Sequence, residues 1–424
     1  MQKYTIHTLK NGLRIVLAPM PGTATATVIV MTGTGSRYEN EKENGLAHFL
    51  EHMFFKGTKN RTNAHAISKE LEAIGSIYNA FTAKDCTAYW AKVSSQYLNT
   101  AIDVISDIFL NSTLISNEIT KERGTIIQEI DMYEDMPMTN IGNVFETLIF
   151  GKEHPLGRTV LGPKENIRTF NRKDFTEYLK RNYTTENTVV CVAGLFSAPN
   201  VLAKIRSEFG RVKRAEHPAL VPFIGTQDAP RVAIKEKKTD QTQLMLGVPS
   251  YPYLHKDEYT LAVLATILGS GMSSRLFIEV REKRGLAYSV RAWAEKYPDT
   301  GYFVVQAGVE HGKLEKVAGT ILTEFRKIKR TRVSSAELAK AKSYIKGTTT
   351  LALETSDGVA NNAVSSLISI GKVRKLEEVL RGIDNVTAAD IERVARDILR
   401  TEKLNLAIIG PHVKKEKFLP LLRV

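Results

Sequence analysis

Residues 46–54 read Leu46-Ala47-His48-Phe49-Leu50-Glu51-His52-Met53-Phe54, and the rest of the chain is read outward from them. Apolar residues recur at a helical period in this stretch, with the polar ones gathered between them. Positions three and four apart share one face of a helix. His48 and His52 therefore stand one turn apart with Glu51 beside them, and Phe49, Leu50, Met53 and Phe54 anchor the helix in a core. Two imidazoles so placed can reach one metal ion. A neighbouring carboxylate that is not a ligand can take a proton from bound water. The plainer reading is a pair of satisfied core histidines with a capping glutamate. A lone histidine would favour it, but the HxxEH spacing on an apolar helix speaks against it.

The same stretch sets the register of an internal repeat. Sliding one half of the chain over the other aligns Leu46-Ala47-His48 with Leu261-Ala262-Val263, and residues 116–118 with 335–337. Strand patterns at 4–9 and 14–18, joined by the hairpin signal Asn11-Gly12, are followed by strands at 24–31, 76–82, 87–93 and 188–193. Helices are expected at 44–55, 65–74, 95–110, 116–134 and 174–183. The second half repeats the order, with strands at 231–234, 241–248, 287–296 and 301–308 and helices at 258–268, 274–284, 314–327 and 335–353. Pro199, Pro218, Pro222 and Pro230 mark the linker region. The expected class is α+β: two tandem homologous domains, 1–215 and 216–424, each an antiparallel-dominated sheet packed with helices.

A catalytic zinc site usually takes three protein ligands plus water, so a third ligand is needed. Glu122 and Glu129 lie on the expected helix 116–134. Seven residues apart, they share a face but stand about 10.5 Å apart along the axis. They cannot both ligate one ion, so one ligates and the other orients a ligand histidine. Spacing does not choose between them.

His48-Phe49-Leu50-Glu51-His52 followed by Glu122-Arg123-Gly124-Thr125-Ile126-Ile127-Gln128-Glu129-Ile130 resembles the M16 (pitrilysin-type) inverted-motif zinc peptidases, in the short form that includes mitochondrial processing peptidase. The likeness extends to Gly35-Ser36-Arg37-Tyr38-Glu39, Asn79-Ala80-Phe81-Thr82 and Arg284-Gly285-Leu286-Ala287-Tyr288. It implies the LuxS/MPP-like metallohydrolase fold, Glu129 as third zinc ligand and Glu122 as its helper. It further implies that Asn79, Ala80, Phe81 and Thr82 form an edge strand that takes substrate backbone by strand addition. Arg281 and Tyr288 match the pair that clamps the scissile carbonyl. The expected activity is that of a zinc-dependent endopeptidase with Glu51, Arg281 and Tyr288 in catalysis. It would hydrolyse unfolded peptides or precursor segments in a dimeric clamshell chamber. Under the repeat register, His48, Glu51, His52 and Glu129 correspond to Val263, Thr266, Ile267 and Thr348, so one zinc per chain is expected. Because one chain carries both residue sets, a homodimer is the expected assembly, with a heterodimer with a related subunit as the alternative.

Composition narrows the classes. At 424 residues, 43% hydrophobic and 25% charged, the chain is globular and long enough for several cores. No apolar run approaches the roughly 20 residues of a membrane helix, and the start lacks a signal-peptide pattern. The reading is therefore cytoplasmic, without a membrane partner. Cys86 and Cys191 have no metal-type spacing and read as two reduced thiols. The net charge of +13 falls almost wholly in residues 211–424, which carry +12. The densest basic run, 326–332, lacks interleaved aromatics and reads as a solvated face, so no nucleic-acid partner is expected.

Overall fold

In the computed structural model, which describes residues 3–217, 219–412 and 414–424, the Asn11-Gly12 turn closes the first hairpin. Gly12 has φ 89°, a left-handed value that glycine adopts without strain. Its N–H bonds Leu9 O at 2.9 Å. This joins β1 (Thr5–Thr8) to β2 (Arg14–Pro19) in antiparallel register. The remaining strands follow as β3 (Thr25–Thr32), β4 (Ile77–Thr82), β5 (Thr87–Ser94), β6 (Thr188–Gly194), β7 (Arg231–Glu236), β8 (Thr242–Ser250), β9 (Ala287–Lys296), β10 (Gly301–Val309) and β11 (Asn405–Gly410).

They form two sheets, ordered β1-β2-β6-β3-β5-β4 and β7-β11-β8-β10-β9. With β1 set aside, the two orders match strand for strand. Each sheet has one parallel pair, β2 with β6 and β7 with β11, and is otherwise antiparallel. The fold is thus α+β with a duplicated, mainly antiparallel sheet. Its interior strands are rich in β-branched residues buried on both faces, as in Thr188–Gly194 (TVVCVAG).

Packing divides the chain differently from its midpoint. One compact unit comprises Met1–Ile130, Thr159–Val221 and Thr350–Lys375; the other comprises Asp131–Arg158, Pro222–Thr349 and Leu376–Val424. In the first unit, one sheet face meets helices of its own half through Phe49, Leu50, Ile102 and Ile105. The opposite face is covered by the helix Ser356–Ile370, which lays Val359, Ala363, Val364 and Leu367 on Val16, Ile29, Met31, Val189 and Cys191. In the second unit the helix Pro137–Phe150 lays Ile141, Phe145 and Ile149 on Met245, Val304, Ala407 and Ile409. Each half of the chain thus lends one helix to the other half's sheet.

The segment expected as a helix at 274–284 takes a wider turn. Phe277–Glu282 is a π-helix, and Lys283 N–H reaches Ile278 O at 2.9 Å, five residues back. Among the described residues no helix is long and apolar enough to cross a membrane. Cys86 and Cys191 are free thiols, the latter fully buried in β6.

Candidate metal centre

The motif helix spans Leu46–Phe54 and starts from Gly45, at φ 106°. A Cβ at this position would stand 2.8 Å from Leu161 O, so any other residue would be both strained and crowded. Gly45 has no side chain to cap the helix. Glu39 does so from the preceding turn: Ala47 N–H donates to Oε1 at 2.6 Å, and Gly45 N–H and Asn44 Nδ2 donate to Oε2 at 2.9 and 3.0 Å. Burial pushes the Glu39 carboxyl up to about 8, against these three donors, which favour its anion. The sequence reading missed this cap, because Glu39 lies outside the usual capping positions. The only available signal was an acid shortly before a helix that has no capping residue of its own.

Leu46, Ala47, Phe49, Leu50, Met53 and Phe54 are buried in the core. His48 and His52 meet Glu122 and Glu129 of the helix Ser116–Asp135, while Glu51 turns to Thr82. Glu129 Oε2 lies 3.6 Å from His48 Nε2 and 3.3 Å from His52 Nε2. Donor atoms of His48, His52 and Glu129 all fall within 4.8 Å of one another. Glu122 takes the other side of the same ring, its Oε1 2.8 Å from His52 Nδ1. The two acids left open by spacing are therefore separated by which nitrogen each one faces. Two imidazole nitrogens and a carboxylate oxygen suit zinc chemically, and three protein donors is the number that catalytic zinc sites use.

The charges answer one another. The His48 and His52 ring nitrogens that face Glu129 hold its carboxyl far below the usual range. Burial pushes Glu122 up, but hydrogen bonds from His52 and from Lys56, whose Nζ lies 2.5 Å from Glu122 Oε2, bring it below the usual range. For His52, burial opposes the cation, yet the facing Glu122 and Glu129 outweigh it and raise it to about 9. Burial raises Glu51, partly offset by a hydrogen bond from Thr82 Oγ1 to its Oε2 at 2.6 Å.

Thr82 ends β4, which among the described residues is the outer strand of its sheet and pairs only with β5. Along β4 exposure alternates; Ile77, Asn79 and Phe81 face solvent, with Tyr78, Ala80 and Thr82 partly covered. Ala80 N–H donates to Asn79 Oδ1 at 2.9 Å, a local bond at the free edge. Arg281 and Tyr288 lie in the second compact unit. Arg281 sits in the π-helical turn with its guanidinium 5.0 Å from the Tyr288 ring centroid, and Tyr288 is 76% exposed. At the positions corresponding to His48, His52 and Glu51, Val263 and Ile267 are buried apolar residues and Thr266 bonds its own helix.

Comparison with known proteins agrees with this architecture. Residues 14–164 match the model described as Insulinase (Peptidase family M16), and residues 169–345 match the model described as Peptidase M16 inactive domain. An uncharacterized zinc protease of Bacillus subtilis is 35% identical over 407 residues, covering 96% of this chain and 98% of its own length. An uncharacterized zinc protease of Mycobacterium tuberculosis is 35% identical over 422 residues, covering 98% of this chain and 95% of its own. The crystal structure of a protease from Helicobacter pylori superposes with a TM-score of 0.90 at 26% identity, covering 97% of this chain and 100% of that one. With both halves matched in order and relatives of equal length, this chain belongs to peptidase family M16.

Proposed function

We propose that this chain is a zinc-dependent endopeptidase that hydrolyses unfolded peptides or precursor segments inside a chamber enclosed by two copies of the chain. The observation that carries this reading is the grouping of His48, His52 and Glu129 within 4.8 Å, beside a Glu51 tied to the edge strand through Thr82. The names of the relatives support zinc as the metal. When bound, zinc supplies a Lewis acid and lowers the pKa of water toward neutrality.

The chain's own groups do the rest. Thr82 occupies Glu51 Oε2, which leaves Oε1 to take the proton of the attacking water and later return it to the leaving amine. Burial raises Glu51 toward the pH at which a carboxyl can do both. A peptide laid along β4 replaces the local bond at Ala80 N–H with a main-chain one, a mode that reads backbone more than side chain. Arg281 and Tyr288 donate to the oxyanion that develops at the scissile carbonyl. In the homodimer they come from the other copy; a heterodimer with a related subunit would leave the chemistry unchanged.

Glu51→Gln tests the assignment. It should keep zinc content and peptide binding while lowering turnover of an unstructured peptide by about 10²–10⁴-fold. Turnover close to the unsubstituted level would remove Glu51 from the role.

A further inference from the structure

Lys56 stands just beyond the motif helix. The closing turn fixes its backbone, with Phe55 N–H on His52 O at 3.2 Å and Lys56 N–H on Met53 O at 3.1 Å. From there its ammonium reaches Glu122 Oε2 at 2.5 Å, while Glu122 Oε1 meets His52 Nδ1 at 2.8 Å. The three groups form a line from lysine to carboxylate to imidazole, and its last member presents Nε2 to Glu129. The Glu122 side chain is only 7% exposed, against 26% for Lys56. A carboxylate so buried is poorly screened by water, and removing one partner of such a pair leaves an uncompensated charge. Here that charge would bear on a ring that already faces Glu129. Lys56 holds one oxygen of Glu122 and so fixes which oxygen, and which direction, the other presents to His52.

We propose that Lys56 is a positioning residue of the metal centre, acting through Glu122 to hold the His52 ring in the orientation that ligates. The inference rests on the zinc reading above. A lysine that only stabilised the fold would change the melting temperature and leave the metal affinity of the folded protein alone. A lysine that positions Glu122 changes the affinity, and does so only while Glu122 carries its carboxylate.

The test is zinc affinity by chelator competition, with the visible spectrum of the cobalt-substituted protein, for the full chain and for Lys56→Met, Lys56→Arg, Glu122→Gln and Lys56→Met/Glu122→Gln. Loss of a group that orients a metal ligand typically weakens binding by about 10–100-fold, and Lys56→Met is expected within that range with an altered cobalt spectrum. Lys56→Arg should recover most of the affinity. The double variant should bind no more weakly than Glu122→Gln alone, because coupled residues are not additive. Unchanged affinity in Lys56→Met, or an equal further loss in the Glu122→Gln background, would overturn the proposal. Absence of zinc binding by the unsubstituted chain would instead remove the zinc reading, and this inference with it.

Discussion

His52 faces a carboxylate on each ring nitrogen, Glu122 at Nδ1 and Glu129 at Nε2. In the metal-free protein these acids raise the imidazolium to about 9. A metal can bind only the neutral ring, so zinc uptake at pH 7 should release a proton, and affinity should climb as pH approaches about 9. Calorimetry in buffers of differing ionisation enthalpy measures the release; an affinity flat between neutral pH and that value would contradict it. The same shift has a second sign. A raised histidine contributes stability below its ordinary pKa and loses it as pH rises through the folded value. The metal-free fold should therefore soften between the ordinary 6.5 and about 9. His48, Glu51 and His52 were legible in the sequence because their geometry is local to one helix. The division of labour between Glu122 and Glu129 was not readable from spacing, since it depends on which ring nitrogen each meets across two helices; only the likeness to the M16 peptidases implied it. Glu39 and Lys56 were missed for the same reason: their partners lie on other turns and other elements.

At the scale of elements, β4, the proposed substrate-binding strand, is tied to the proposed base, because Thr82 ends the strand and also holds Glu51. Ala80→Pro should leave the sheet standing, since proline is tolerated on an edge strand. It removes the N–H now bonded to Asn79. Losing one main-chain hydrogen bond to substrate, worth about 0.5–1.5 kcal/mol, should lower kcat/KM by up to about tenfold, with zinc content intact. Steady-state kinetics on an unstructured peptide decides it; unchanged kcat/KM would exclude this N–H from docking. Alternation and turn chemistry made most strands readable, β4 and the first hairpin above all. β11 is buried on every residue and shows no alternation to read. The π-helical turn at Phe277–Glu282 kept a helical pattern while changing its pitch, a difference that side-chain periodicity does not record. The helices Pro137–Phe150 and Ser356–Ile370 are ordinary locally; what matters about them is the sheet each covers, and that sheet is remote in sequence.

For the whole molecule, the exchange of helices sets what can be separated. A chain ending at residue 215 keeps every candidate zinc ligand but loses the helix Ser356–Ile370. Val359, Val364 and Leu367 each contribute about 1.5–3 kcal/mol on burial, set against a total stability of roughly 5–15 kcal/mol. The fragment should therefore aggregate or stay unfolded, and adding residues 350–375 as a peptide should partly rescue it. Circular dichroism and size-exclusion chromatography read the outcome, and a soluble, folded 1–215 fragment would contradict it. The proposed assembly has its own test. Glu51→Gln and Arg281→Ala chains, each inactive alone, should regain activity when mixed, because one of the composite sites would then be whole. Proven mixed dimers without activity would argue against sharing across chains.

The repeat has a structural consequence. Val263, Thr266 and Ile267 stand where the first copy has His48, Glu51 and His52, so the second copy repeats none of these three groups, yet it supplies the helix that walls the back of the first copy's sheet. Two copies that each lean on a helix of the other are no longer two separable parts, whatever each does at its own surface.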